Sequence, residues 1–504
     1  MKLFLETYNN TNSVDINEIP VLKYQYFANM LRSYFADSDN HCLSYYAYRK
    51  DNKLKFICAI AKDSNGKIYL SSHELDAGKI MLDSLTPEFP QLHIFEREIA
   101  ENFGITFEGH PWAKPVRYPF DRADKNKVMN NYPFYRMESD QLHEVGVGPI
   151  HAGVIEPGHF RFICNGEKVL HLEIHLGYQH RGVEKLMLQN DNRLKLCILS
   201  ESIGGDTAVG NALAHAQLLE SLADFEAPKD LQIERCIALE LERIAVHIGD
   251  TAALCTDVGY QLGQVVCEAL RTTIINTTQF WCGNRFGKGL VRPFGTNYPL
   301  NDKTVEEIKK ILNDSGKRYF DMAERIYSLP SVLGRFDDIG IVTTQQAYRI
   351  GAVGMAARTC NIPRDIRATH PFQYFKTHKP QVVTQEKGDV LARGMLRFLE
   401  AKESVKYIFE LLAKWESIDK TNLKPDYDHK LNPDRFAVSI VEAWRGELCH
   451  FAVTDEKGNI SHYKISDPSM HNWFALALAV RDQEISDFPI CNKSFNLSYC
   501  GYDL

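Results

Sequence analysis

Between residues 180 and 418, apolar residues recur every three or four positions along most of the sequence. This spacing places them on one face of an α-helix, so each stretch predicts a helix that buries one side. Many such helices in succession favour a mainly helical region with a large core. Seven stretches show the pattern: 180–200, 205–225, 228–256, 257–283, 303–329, 342–360 and 387–418.

Segments with strand character lie on either side of this helical region. Before it, two strands flank a turn at 64–66, a helix covers 95–103, and residues 151–174 predict a short sheet. After it, residues 436–466 return to strands, followed by a helix over 468–481 and an irregular tail. We therefore predict an α+β fold, with a small N-terminal α/β domain before a large, mainly helical domain with small peripheral sheets.

A charged segment separates the two regions. Residues 121–127 carry five charged side chains, and an Asn-Asn-Tyr-Pro run follows at 130–133. This composition is typical of an exposed linker. The predicted division is a first domain over 1–125, a linker over 126–145 and a second domain over 146–504.

The composition excludes several classes of protein. The net charge is −7 and no basic stripe is present to neutralise phosphates, which argues against a nucleic-acid partner. No run of about 18 apolar residues could span a membrane. The N-terminus turns polar too early for a signal peptide, so the expected location is the cytoplasm. The twelve cysteines include no CxxC pair, so we expect buried thiols rather than disulfides or cluster ligands.

Two motifs place cationic side chains where they could serve a site. His180 and Arg181, in HLGYQHRGVEK, could line a buried polar pocket, or they could begin a surface helix with charge pairs. Arg445 precedes a glycine in EAWRG, which suits close approach to an anionic group but also suits an ordinary turn. The residues alone leave both alternatives open.

A third motif, ELERIAVHIGD at 240–250, places Arg243 and His247 on one face of a helix. That face could lie against an anionic cluster of a partner subunit, or Arg243 could form a salt bridge with a neighbouring glutamate. A metal site would need a second histidine or a cysteine at helical spacing. The glycine-rich segment 204–210 lacks the lysine of a phosphate-binding loop, so nucleotide binding at that segment is rejected.

Two resemblances to known families cover most of the chain. Residues 96–119, EREIAENFGITFEGHPWAKPVRYP, resemble the small hydrophilic subunit of respiratory complex I, over about residues 25–120. Residues 145–504 resemble the large subunit of energy-converting nickel–iron hydrogenases and, more distantly, the quinone-side subunit of complex I. A fusion of both parts is similar to the formate hydrogenlyase and hydrogenase-4 large subunits. Ten blocks carry the second resemblance: 148–162, 180–185, 240–250, 289–295, 351–358, 365–372, 388–393, 442–446, 467–473 and 487–499.

The resemblance places four nickel ligands at positions that are not cysteine in this chain. The first CxxC pair of the family falls on Gly204 and Thr207, and the second falls on Ser498 and Gly501. Soft thiolates hold and bridge nickel and iron, whereas glycine offers no ligand and hydroxyls are poor substitutes. We therefore expect no metal bound by this chain and no active nickel–iron hydrogenase.

Neither a metal site built from other cysteines nor a complex I-type quinone site is supported by the residues present. Two cysteines at one end of the chain, Cys491 and Cys500, cannot replace four thiolates around a centre. The tyrosine that meets quinone in complex I falls on Gly205, and the histidine falls near Pro157. An ordinary quinone site is therefore not secured.

The resemblance still implies roles for five residues. It places Arg243 and His247 beside the iron–sulfur cluster of a small partner subunit, where positive charge would tune the cluster. His180, Asp206 and Arg445 would line the former active-site cavity. Buried histidines or carboxylates would form a proton route.

These observations predict a subunit of a membrane-associated, complex I-like or hydrogenase-like oxidoreductase. It would take electrons from a small iron–sulfur subunit and pass them to an acceptor, with quinone as a candidate. Antiporter-like and other membrane-arm subunits would move ions, and the chain would lie peripherally on the inner face of the cell membrane. The alternative is a non-catalytic scaffold that docks the iron–sulfur subunit onto the membrane arm.

Overall fold

A computed structural model of the chain describes residues 3–8, 12–76, 78, 80–152 and 155–504. Gly153 and Val154, which belong to the 148–162 block, lie outside the described residues. Within the described ranges, every helix is too short or too polar to cross a membrane.

The N-terminal region is built on an antiparallel sheet. Its elements are β1 (Leu5–Tyr8), β2 (Val14–Asp15), β3 (Val21–Leu22), α1 (Tyr24–Phe35), β4 (Asn40–Lys50), β5 (Lys53–Lys62), β6 (Lys67–Asp76), β7 (Met81–Asp83), α2 (His93–Phe103) and β8 (Thr106–Glu108). The strand order is β1-β6-β5-β4, with β3 parallel to β6, so β4 is an edge strand. Antiparallel pairing of β5 with β6 confirms the predicted turn at 64–66.

The rest of the chain begins with a three-stranded sheet and continues mainly as helices. The sheet contains β9 (His143–Val147), β10 (His159–Asn165) and β11 (Lys168–His175). The helices that follow are α3 (Val183–Gln189), α4 (Arg193–Ser200), α5 (Ala208–Leu222), α6 (Lys229–Asp257), α7 (Gln261–Cys282), α8 (Asp302–Ile311), α9 (Lys317–Ile326), α10 (Pro330–Phe336), α11 (Thr344–Arg349), α12 (Gly354–Arg358), α13 (Ile366–Thr369) and α14 (Val390–Glu416).

The last part of the chain combines strands with short helices: β12 (Arg435–Ala443), β13 (Gly446–Thr454), β14 (Ile460–Ser466), α15 (Pro468–Ala479), α16 (Phe488–Phe495) and α17 (Tyr499–Asp503). The α+β class is thereby confirmed. The prediction of an irregular tail was wrong, because α16 and α17 order it. The stretch 180–200 divides into α3 and α4, and 342–360 divides into α11 and α12, because helical periodicity continues across short breaks.

The two regions share a sheet and a core. Helix α6 packs against α7 and α14 at the centre of the helical region. Strand β12 pairs with β13 on one side and with β2 on the other, where Asp15 lies opposite Arg435. A strand from the N-terminal region therefore completes the C-terminal sheet. The domain boundaries at 125 and 146 stay a prediction.

Candidate functional site

Arg445 lies in the two-residue turn that joins β12 to β13. The turn packs closely on α12, because a Cβ at Gly446 (φ +142°) would stand 2.7 Å from the Cα of Gly354. From this turn, the Arg445 guanidinium donates to both carboxylate oxygens of Asp206, each at 2.7 Å. Its Nε donates to the carbonyl oxygen of Asn496 at 2.6 Å. Arg445 thus binds the 204–207 loop through a two-point ion pair with Asp206, and it binds the C-terminal tail through the Asn496 carbonyl.

The ion pair sets the charge of both partners. Arg445 is 6% exposed, and the Asp206 side chain is 39% exposed. Burial favours the neutral acid, but the Arg445 guanidinium outweighs it and holds the pKa of Asp206 below its ordinary value. Burial alone would lower the pKa of Arg445, whereas Asp206 raises it. The Arg445 guanidinium also lies 3.9 Å from the ring centroid of Trp444.

The four positions that the resemblance assigns to nickel ligands do not fit a nickel–iron centre. Gly204 and Gly501 have no side chain. Thr207 Oγ1 donates to Asp206 at 3.0 Å and accepts from Arg445 at 3.1 Å. Ser498 Oγ accepts from the Gly501 N–H at 2.8 Å as the N-cap of α17. Two hydroxyls already engaged in hydrogen bonds cannot replace four thiolates that hold and bridge nickel and iron.

Two further titratable groups, the carboxyl of Asp467 and the thiol of Cys500, lie at or near the tail. Asp467 is 4% exposed, and burial raises its pKa although Arg445 opposes the shift. Its Oδ1 accepts from the Ser469 N–H at 2.8 Å. Burial, followed by the carboxylate of Glu156, raises the pKa of the Cys500 thiol to about 11. Cys500 is therefore a neutral thiol at pH 7, unlike a metal-binding or nucleophilic thiolate.

Replacing Gly501 by alanine is expected to lower the free energy of unfolding by about 1–3 kcal/mol, the usual cost of overpacking. An added Cβ would overlap the buried Asp467 carboxylate and stand 2.8 Å from the Oγ of Ser498. The control is Gly204→Ala, where the nearest atom lies at 3.7 Å and the change should stay within about 0.5 kcal/mol. Equal shifts in urea unfolding for both variants would contradict the tight contact at Gly501.

Glu242 lies beside Asp206 in a small pocket of about 30 Å³. Its carboxylate accepts from the N–H groups of Val209 at 2.7 Å and Gly210 at 3.1 Å, at the N-terminus of α5. Burial raises the pKa of Glu242 to about 8 despite these bonds. The carboxyl group is therefore largely protonated at pH 7 and could release a proton near Asp206.

Arg243 and His247 are fully buried within this chain. The Arg243 guanidinium donates to the carbonyl oxygen of Glu442 at 2.6 Å and to Glu240 at 3.2 Å. His247 Nε2 lies 2.9 Å from Glu400 Oε2. Burial lowers the pKa of His247 although Glu400 opposes the shift, so the imidazole is neutral at pH 7 and the charge belongs to Arg243. A role beside a partner cluster stays a prediction for both.

His180 lies apart from the Arg445–Asp206 pair. Its Nδ1 is 2.7 Å from the carbonyl oxygen of Asp503, and it lines a different and larger cleft. Of the three residues predicted to line one cavity, the structure brings together Asp206 and Arg445.

Near the positions of the quinone pair, Gly205 is exposed, and His151 Nε2 lies 2.8 Å from the carbonyl oxygen of Gly158.

Sequence reasoning missed the residues that complete the site. Asn496 takes a left-handed conformation (φ +46°) after α16, and its Nδ2 donates to Asp250 at 2.7 Å. Asp250 also accepts from Arg397 at 2.8 Å. An asparagine after a helical segment is a signal for a C-cap, but its partner 246 residues away leaves no pattern in the sequence.

Comparisons with known proteins agree with the motifs. The sequence model of the respiratory-chain NADH dehydrogenase 30 kDa subunit matches residues 21–125, and that of the 49 kDa subunit matches 257–434. Hydrogenase-4 component G of Escherichia coli (strain K12) is 24% identical, over 98% of this chain and 88% of its own length.

Two further relatives are named as subunits of a formate hydrogenlyase and of an NADH-quinone oxidoreductase. Formate hydrogenlyase subunit 5 of Escherichia coli (strain K12) is 25% identical over 85% of this chain and 78% of its own length. NADH-quinone oxidoreductase subunit 4 of Thermus thermophilus is 25% identical over 69% of this chain and 90% of its own length. The resemblance inferred from the motifs is confirmed.

Proposed function

Since this chain joins a segment of the 30 kDa subunit family to a segment of the 49 kDa subunit family of respiratory-chain NADH dehydrogenase, we propose that it is a peripheral subunit of a membrane-associated oxidoreductase complex. The presence of both segments, in this order, in one packed chain is the observation that carries the proposal. The relatives named for hydrogenase-4, formate hydrogenlyase and NADH-quinone oxidoreductase support it. In this role the chain takes electrons from an iron–sulfur subunit and passes them to an acceptor.

The site chemistry argues against hydrogen as the substrate of this subunit. The residues at the four ligand positions do not fit nickel and iron, so no step is derived through that centre. The tyrosine and histidine that meet quinone in complex I are also replaced, and the pocket beside Asp206 holds only about 30 Å³. The residues present therefore do not form the tyrosine–histidine quinone site of complex I beside Asp206.

The chain's own acids can handle protons near the site. Glu242 carries a proton at pH 7, and Asp206 stays ionised beside Arg445. Because Arg445 holds the pKa of Asp206 below its ordinary value, Asp206 is a poor acceptor for this proton, and the proton of Glu242 is available to an electron acceptor that binds beside it. Proton movement of this kind is what an acceptor that takes electrons and protons together would require.

Arg243 would act on a cluster in a partner subunit through its electrostatic field and not through contact. Because Arg243 and His247 have no exposed surface in this chain, a cluster in another subunit interacts with them through intervening atoms. The guanidinium is paired with Glu240 at 3.2 Å and lies 3.8 Å from Glu400, so its effect on the potential of a nearby cluster is that of an ion pair and not of an isolated cation.

The scaffold alternative is favoured by one observation. The tail fills the region around the former ligand positions: α17 seats Gly501 against Asp467, and Asn496 accepts from Arg445. A site closed in this way could have been kept for docking the iron–sulfur subunit onto a membrane arm. Antiporter-like and other membrane-arm subunits are the proposed partners in both cases.

The experiment that separates these functions is metal and acceptor analysis of the native complex, purified through a tag on this chain. We expect less than one nickel per chain, together with reduction of an added short-chain quinone, faster than without the complex, when a reduced viologen supplies the electrons. Nickel at one atom per chain would overturn the argument from the ligand positions. An intact complex that does not speed reduction of the quinone would favour the scaffold.

A further inference from the structure

A cleft of about 810 Å³ opens on the side of the molecule where the two regions meet. Edge strand β4, the end of α2, the segment 117–122 and the start of α3 form its walls. Neither Asp206 nor Arg445 lines it, so it is separate from the candidate site. Its volume lies within the range of small-molecule sites in proteins, about 300–1,000 Å³.

The wall of the cleft is cationic although the chain is acidic. Six arginine and lysine side chains line it against four aspartate and glutamate side chains, whereas the whole chain has a net charge of −7. The four carboxylates are already engaged inside the wall. Their partners are Arg117 and Lys464 for Glu98, the N–H groups of residues 116–118 for Glu101, Lys464 for Glu184, and Lys185 for Asp121.

Three arginines of the cleft have no carboxylate partner in the described part of the chain: Arg49, Arg122 and Arg181. Carbonyl oxygens fix the guanidiniums of Arg122 and Arg181, with Arg122 Nε donating to the Lys127 carbonyl at 2.8 Å and Arg181 Nη2 to that of Ile203 at 2.8 Å. Each guanidinium donates to three carbonyl oxygens in all, those of residues 119, 125 and 127 for Arg122 and of residues 202, 203 and 500 for Arg181, so two of its five N–H groups are unused. The guanidinium of Arg49 lies 5.8 Å from the ring centroid of Phe103. Guanidinium groups that are held in place and are not paired with a carboxylate are well suited to bind phosphate groups.

Another part of the wall is a stack of three rings. The imidazole of His462 lies 4.4 Å from the ring of Tyr48 and 5.3 Å from the ring of Tyr46, at interplanar angles of 15° and 22°. The two phenol hydroxyls and His462 Nε2 have no hydrogen-bond partner among the described residues. Tyr46 and Tyr48 are 3% and 8% exposed. Polar atoms that are buried without a partner are groups that a bound polar ring can satisfy.

We propose that this cleft binds a nucleoside phosphate, with the arginines holding the phosphates and the tyrosine–histidine stack receiving the base. No glycine-rich loop is involved, because the recognition uses side chains from both regions of the fold. The ligand would bridge β4 of the N-terminal region and the start of α3, so its binding would couple the two regions. The proposal does not depend on the electron-transfer role.

The test is isothermal titration calorimetry of the full-length chain with ATP, with tripolyphosphate and with adenosine. We expect ATP to bind at least about tenfold more tightly than either fragment, because phosphates and base contribute together. Arg49→Gln should weaken ATP binding by about tenfold, through loss of one charge-assisted contact. The matched control is Arg285→Gln, because Arg285 is also exposed and lies 5.5 Å from the ring centroid of Phe286, outside the cleft.

The site of binding is checked with the photoreactive probe 8-azido-ATP. Labelled peptides from β4 or β14 that are lost with excess ATP support the proposal. The absence of ATP binding, a label outside the cleft, or equal weakening by Arg49→Gln and Arg285→Gln overturns it. Tripolyphosphate that binds as tightly as ATP also overturns it, since the ring stack would then contribute nothing. Thermal melting of both variants verifies that the surface substitutions leave the fold intact.

Discussion

Replacing Arg358 by leucine is expected to lower the free energy of unfolding by about 3–5 kcal/mol, the usual cost of removing one partner from a buried ion pair. Arg358 is fully buried, and its guanidinium donates to Glu400 at 2.8 Å and to Glu442 at 2.7 Å. The substitution leaves two buried carboxylates without this cation. Equilibrium unfolding in urea, followed by tryptophan fluorescence, measures the loss.

The matched control for this variant is Arg318→Leu. Arg318 is paired with Asp314 at 3.4 Å, but its side chain is 60% exposed, so the loss should be at most about 0.5 kcal/mol. Burial raises the pKa of Glu442 to about 7 even with Arg358 beside it, so Glu442 should be protonated at pH 7 in the variant. Similar losses for Arg358→Leu and Arg318→Leu would show that the buried network adds little stability.

Replacing Arg445 by methionine is expected to slow acceptor reduction by the assembled complex by about two orders of magnitude, a typical cost of misplacing groups at a reaction site. The substitution removes the only cation bonded to Asp206 in the described structure, and it frees the Asn496 carbonyl of the tail. Both sides of the site then lose the group that holds them together. The measurement is the turnover of the purified complex with a reduced viologen as donor and a short-chain quinone as acceptor.

Two further variants separate chemistry from structure at this position. Arg445→Lys keeps the charge but loses the two-point contact with Asp206, so its turnover should fall between those of the methionine variant and the unaltered chain. Asp206→Asn keeps the shape of the side chain but loses its charge, and it should slow turnover without changing the yield of complex. Unchanged turnover in an intact Arg445→Met complex would favour the scaffold. Loss of the iron–sulfur subunit from the complex would assign Arg445 to assembly.

Much of the secondary structure was predictable because its signals are local. The turn at 64–66 and the strands after residue 435 match β5, β6 and β12–β14. Periodicity failed where helices are short, since it cannot distinguish one long helix from α11 followed by α12. The tail has no clear period, so its helices were missed: α17 is five residues long and begins at a serine cap.

The site was predictable in composition but not in geometry. Arg445 was singled out because a glycine follows it, and that glycine is indeed required by the close packing on α12. Its partner Asp206 was placed nearby by resemblance alone. Arg243 was weighed between a partner-facing surface and a salt bridge, and the structure shows a salt bridge with Glu240 inside the core. Which of these arrangements holds depends on what packs around the helix.

The sequence by itself determined the class of fold, the order of the family motifs and the absence of cysteine at the four positions that the resemblance assigns to nickel ligands. These properties depend on residue identity and short-range spacing, which can be read directly from the sequence. Only the tertiary structure decided that Arg445 pairs with Asp206 across 239 residues, that His180 lies in a separate cleft, and that Arg243 and His247 are buried. Ion pairs between distant segments leave no periodic trace, because they depend on how helices and sheets pack and not on the spacing of residues along one of them.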